Sequence, residues 1–174
     1  MSITSGSGAR NNITEEDFRE AISAVRSTYF PDIQALSKHQ QSALWNFITG
    51  QDVFAILPTG SGKSLIFQMA PALIEQLNKK GYAVQSKPVI MIVCPLNSLI
   101  DSHIRELSKR GFKATVLTKK EDERGILNGD FTFVLCNPES IINNAKWRNM
   151  VCSELYQDNL IGFVTDEVMF KGRQ

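Results

Sequence analysis

Nowhere does the sequence approach the ~20 consecutive apolar residues that a membrane-spanning helix needs. Its first residues also lack the apolar core of a secretory signal, so the expectation is a soluble, intracellular chain without a membrane partner. Cysteine is scarce: Cys94, Cys136 and Cys152 are the only three, and no two stand in CxxC spacing. The first two fall inside apolar runs, where a reduced, buried cysteine is commonplace, which argues against a metal or redox role. His39 and His103 have no companion ligands and read as ordinary polar helix residues. An excess of one charge is missing too. With a formal net charge of +1, bulk electrostatics select neither nucleic acid nor membrane, and any basic surface must be local.

What is present is enough apolar material for a core. A chain of 174 residues, 43% of them hydrophobic, can bury sufficient surface to fold as one domain. The stretch over residues 1–12, "MSITSGSGARNN", is small, polar and aperiodic, and is expected to be a disordered leader. Thr14 followed by Asp17 has the form of a helix N-cap, predicting a helix to about Thr28, before Pro31. A second helix is expected from about Ser37 to Ile48, ending at Gly50; residues 13–50 thus form an N-terminal helical pair. Trp45 and Phe47 suit packing of that second helix.

From residue 51 onward the pattern alternates. Short apolar runs at "DVFAIL", "PVIMIVC", "ATVL", "FTFVLC" and "LIGFVT" are separated by helix-length connections. Strands apolar throughout belong to a parallel sheet covered on both faces, so the expected class is α/β and doubly wound, with residues 51–174 forming the sheet-bearing lobe.

The chemistry is concentrated where "DVFAIL" runs into "PTGSGKS" and then into the helical "LIFQMAPALIEQL". Strand, glycine-rich turn and helix come in the order that a phosphate cradle requires. Gly60 and Gly62 let successive N–H groups turn toward phosphate oxygens at the positive end of the next helix. Pro58, Thr59 and Ser61 complete the loop, Lys63 would reach the β- and γ-phosphates of ATP, and the Ser64 hydroxyl would ligate Mg²⁺. Leu57 occupies the position where the general pattern has its first glycine. The acidic pair Asp166 and Glu167 follows the last apolar run. In a phosphate-loop protein such a pair supplies a carboxylate on the metal side, here Asp166, and a general base for the attacking water, here Glu167.

Taken together, these residues resemble the RecQ family of superfamily 2 DNA helicases, over about Leu36 to Glu167. "LPTGSGKSLIFQ" carries the likeness most sharply and includes Gln68. "LSKHQQSAL" resembles the family's adenine-recognition motif, placing Gln40 at the adenine edge, with Ser37 where the family usually has arginine. "CPLNSLIDSHIREL" is similar to the motif that holds one DNA strand by its phosphates, implicating Asn97 and Ser98. "LCNPES" resembles a second such motif and implicates Asn137, Pro138 and Glu139. The fold implied is a RecA-like phosphate-loop lobe, the cofactors ATP and Mg²⁺, the partner single-stranded DNA held by its backbone, and the setting nuclear in a eukaryote. Arg105, Lys109, Arg110 and Lys113 read either as a phosphate track or as a solvated helix face.

The acidic pair is followed by Val168 and Met169 where the family has Ala-His. The resemblance further implies a second RecA-like lobe bearing an arginine finger. This chain is therefore expected to be a first lobe cut short, able to bind but hardly to unwind. A DEAD-box RNA helicase lobe and a catalytically inactive nucleotide-dependent module are the competing expectations.

Overall fold

The computed structural model describes residues 12–56, 60–82 and 84–165. The expected leader, apart from Asn12, lies outside them, and so do Leu57, Pro58, Thr59 and everything from Asp166 onward.

Helix α1, Glu15–Tyr29, starts where Thr14 accepts a hydrogen bond from the Asp17 amide at 3.1 Å. Its buried residues, Phe18, Ala21, Ile22 and Val25, recur at helical spacing and form one apolar stripe. Helix α2, Lys38–Ile48, opens with a reciprocal cap: the Gln40 amide donates to Ser37 Oγ while the Ser37 amide donates to Gln40 Oε1. It buries Gln40, Leu44 and Ile48, one residue per turn. Trp45 meets Phe18 of α1 edge-on, with ring centroids 5.0 Å apart. Helix α3, Lys63–Lys79, is covered on nearly every side, burying Leu65 through Ile74 as well as Leu77.

The chain then alternates strand and helix: β1 (Val89–Val93), α4 (Asn97–Lys109), β2 (Ala114–Val116), α5 (Glu123–Leu127), β3 (Phe133–Cys136), α6 (Pro138–Ile142), α7 (Ala145–Val151), α8 (Glu154–Asn159) and β4 (Leu160–Thr165). The strands form one sheet in the order β2-β3-β1-β4, and every pairing is parallel. The strand period of two sorts the side chains between two layers. Ile90, Ile92, Phe133 and Leu135 join the core formed with α1 to α4. Val89, Met91, Val134 and Cys136 face Ile126, Trp147, Met150 and Tyr156 on the opposite side. Tyr156 is fully buried, and its hydroxyl donates to the Ile126 carbonyl at 2.6 Å, so its polar tip is satisfied.

The expected α/β architecture is thus present, with one correction. The apolar run "DVFAIL" predicts a first strand, yet residues 52–56 form none, and Phe54 and Ile56 are 77% and 83% exposed. A strand exists only through a neighbour that shares its hydrogen-bond ladder, and β4 pairs with β1 alone among the described residues. Apolar composition cannot substitute for that neighbour.

Two polar clasps fix the N-terminal helices to the sheet-bearing part. At one, Lys80 after α3 bonds Asp17 at 2.7 Å and also bonds Glu20, while the Tyr82 hydroxyl donates to Asp17 at 2.6 Å. At the other, Arg110 after α4 forms a two-pronged pair with Asp32 at 2.9 and 3.2 Å, donates to the Tyr29 carbonyl and lies over the Phe30 ring. Arg110 therefore belongs to this clasp, which leaves Arg105, Lys109 and Lys113 as the exposed members of the basic group.

Candidate functional site

Gly60 and Gly62 have φ of +79° and +74°, a left-handed backbone that suits residues without a Cβ. At Gly62 space is limiting as well, since a Cβ there would come within 2.8 Å of Gln40 Nε2. Gly62 is the N-cap of α3 and offers no capping side chain, and the Leu65 amide turns back to the Gly62 carbonyl at 3.1 Å. Lys63 and Ser64 begin the helix and are half-buried. The Ser61 hydroxyl is buried and has no hydrogen-bond partner among the described residues. A helix start without a capping side chain, a buried hydroxyl and a lysine stand together at the positive end of a long helix, where anions are favoured.

Gln40 is tied directly to this loop. Its Nε2 donates to the Ser61 carbonyl at 2.8 Å and to the Gly62 carbonyl at 3.2 Å, while its Oε1 accepts from the Ser37 amide at 2.8 Å. Both amide hydrogens and one acceptor position are thereby used, so the first turn of α2 acts as a strut behind the phosphate loop. Nothing in the spacing of Gln40 from Lys63 announces these partners. One turn beyond Ser64, Gln68 is fully buried, and among the described residues neither end of its amide has a partner.

Asn97, Ser98 and Asn137 sit at the carboxyl ends of the strands, where ligands of open parallel sheets bind. Because β1 and β3 are neighbours, the turns that follow them are also adjacent. Asn97 opens α4 after β1, Asn137 precedes α6 after β3, and Asn137 Nδ2 donates to Asn97 Oδ1 at 3.0 Å. Ser98 is exposed beside them. The N-cap of α4 is Leu96, whose side chain cannot accept a hydrogen bond, so this helix too starts without a capping side chain. Asp166 and Glu167 follow directly on Thr165, the last residue of β4, but they lie outside the described residues, as do Pro58 and Thr59. Among the described residues no three His, Cys, Asp or Glu side chains gather into a metal cluster. Of the two expected Mg²⁺ ligands, only Ser64 falls within that part. His103 lies on α4, where it is buried and meets the Phe67 ring edge-on at 5.9 Å.

A parallel α/β sheet, a glycine loop opening a long helix and a second set of turns at the strand ends define a RecA-like phosphate-loop domain. The sequence pattern of the DEAD/DEAH box helicases matches residues 37–168, and the chain belongs to that family. Among curated relatives it is similar to the ATP-dependent helicase SGS1 of Saccharomyces cerevisiae, 29% identical over 74% of this chain and 9% of that protein. It is also similar to the probable ATP-dependent DNA helicase RecS of Bacillus subtilis, 27% identical over 62% of this chain and 20% of the relative. ATP-dependent DNA helicase Q1 of Rattus norvegicus is 26% identical over 68% and 18% respectively. The chain spans a fifth or less of the length of these relatives.

Proposed function

We propose that this chain is the ATP- and nucleic-acid-binding first lobe of a RecQ-type DNA helicase. The observation that supports it most directly is the strut from Gln40 to the Ser61 and Gly62 carbonyls, which holds a glycine loop beside a helix start that has no capping side chain. In this reading the amides from Gly60 to Ser64 grip the nucleotide phosphates, with Pro58 and Thr59 in the same loop, and Lys63 places its ammonium against the β- and γ-oxygens. Ser64 and Asp166 would hold Mg²⁺, which neutralises charge on the phosphates when bound, and Glu167 would orient and deprotonate the attacking water. Gln40 would present its remaining acceptor capacity, or exchange a loop contact, to read the adenine edge. A single DNA strand would lie across Asn97, Ser98 and Asn137, held by its phosphates and therefore without sequence preference.

Movement along DNA, three-to-five-prime by resemblance, requires a second RecA-like lobe. An arginine finger from such a lobe is worth ~10³ to 10⁵ in rate, so this chain by itself should hydrolyse ATP very slowly and should not separate strands. The expected setting is intracellular, nuclear in a eukaryote.

The test has two arms. Titration with ATP and GTP should show that Gln40→Ala weakens ATP more than GTP; equal losses would mean that Gln40 serves only as a strut. A labelled duplex with a single-stranded tail should remain intact with this protein, ATP and Mg²⁺. Robust ATP-dependent separation would overturn the two-lobe reading.

A further inference from the structure

We propose that Gln68 is a positioning residue of the nucleotide site, acting through Ser64 to aim that hydroxyl at a bound divalent cation. This rests on the reading of residues 60–64 as part of a phosphate loop. Gln68 is fully buried on α3, and among the described residues neither its Nε2 nor its Oε1 has a hydrogen-bond partner. A buried amide with both ends open is expensive, because the water bonds it gave up have not been replaced. Glutamines of the neighbouring helix show the usual remedy. Gln40 Nε2 donates to the Ser61 and Gly62 carbonyls, and Gln41 Nε2 to the Leu36 carbonyl at 2.9 Å. Around Gln68 on its own helix, Leu65, Phe67, Met69 and Ala72 are all buried and apolar, so on packing grounds alone a leucine or methionine would suit position 68 better.

The helix determines what this amide can serve. Gln68 follows Ser64 by four residues, so the two share one face of α3, and helical side chains lean toward the turn that precedes them. The Gln68 amide therefore extends from its own turn toward the one that carries Ser64. A hydroxyl that gives an oxygen lone pair to a cation must still place its proton, and a carbonyl oxygen with free capacity is the acceptor for it. Gln68 Oε1 has that capacity. The same first turn starts without a capping side chain and follows Ser61, whose buried hydroxyl also has no partner among the described residues. A group that orients a metal ligand from behind acts on metal affinity, and its removal typically costs ~10- to 100-fold.

Gln68→Met, of similar length and without the polar group, tests this, with ATP affinity measured by equilibrium titration in Mg²⁺ and again in a chelator. Affinity in Mg²⁺ should fall about tenfold, affinity in the chelator should be unchanged, and the unfolding midpoint without nucleotide should not fall. Gln68→Leu should behave alike. In a Ser64→Ala background Gln68→Met should cost nothing further, since the residue acts through that hydroxyl. Equal losses with and without Mg²⁺, no loss in either, or a full additional loss in the Ser64→Ala background would overturn the proposal. So would a lowered unfolding midpoint in both variants, which would show that the amide is paired within the folded chain. Lys63→Ala keeps the phosphate-loop reading separate: ATP binding in the chelator that Lys63→Ala weakens supports that reading whatever Gln68→Met does. No ATP binding by the unsubstituted protein would overturn both.

Discussion

The helical side of the domain and the rim of turns at the strand ends are held by different forces. Helices α1 to α3 share an apolar core with one face of the sheet, closed at two corners by Asp17–Lys80 and Asp32–Arg110. At the rim, one side-chain amide holds the Ser61 and Gly62 carbonyls, another joins Asn137 to Asn97, and two helix starts have no capping side chain. Where apolar contact is dense, polar groups lock an arrangement already made. Where it is sparse, polar groups hold one another and two helix starts lack a capping side chain. The difference predicts that substitutions in the first region will move stability, and that those in the second will move binding.

The largest effect is expected in the core. Leu73 of α3 is fully buried, and Leu73→Ala should lower stability by about 2–5 kcal/mol, measured by chemical denaturation. Nucleotide affinity of the folded fraction should be unchanged, and an affinity loss at full folding would dissolve the division between the two regions.

Next comes Lys63→Ala, which removes a charged donor at the phosphate loop. It should weaken ATP about tenfold to a hundredfold while leaving the unfolding midpoint within error. Unaltered affinity would remove the phosphate-loop assignment.

The clasp at Asp17 sharpens the comparison through pH. Lys80, then Tyr82 and Thr14, bond its carboxylate and hold its pKa down at about 2, against 3.8 ordinarily. A depressed carboxylate pKa means that the clasp contributes fully above pH 3.8 and that its contribution fades as pH falls toward about 2. Asp17→Asn should flatten the acid limb of a stability-against-pH curve in that window. An acid limb unchanged from that of the unsubstituted protein would show that the clasp does not couple to folding.

The smallest effect is expected at the rim. Asn97→Ala removes one neutral hydrogen-bonding group and should weaken single-stranded DNA several-fold, equally across sequences, by fluorescence anisotropy. A sequence-dependent loss would mean that Asn97 reads bases.

Local interactions make much of the molecule legible in its residues alone. Thr14 and Ser37 cap helices through atoms within three residues of themselves, so the starts of α1 and α2 follow from short-range chemistry. The apolar runs of β1 and β3 identify themselves because a central parallel strand buries both faces. "GSGKS" is legible for a similar reason, since left-handed glycines and the helix start are properties of consecutive residues.

Other features depend on groups far apart in the chain. Gln40 reaches carbonyls 21 and 22 positions away, and Asn137 meets Asn97 across 40. Arg110 has the spacing of a basic stripe, but Asp32 and Phe30, about 80 residues earlier, surround it. Residues 52–56 have the composition of a strand and form none, because a ladder needs a neighbour. The sequence by itself determined where helices α1 to α3 begin and where the glycine turn before α3 falls, since those choices rest on bonds within a turn. Only the tertiary structure decided which amide braces that turn and which arginine is committed to a clasp, because each depends on what the rest of the chain brings alongside.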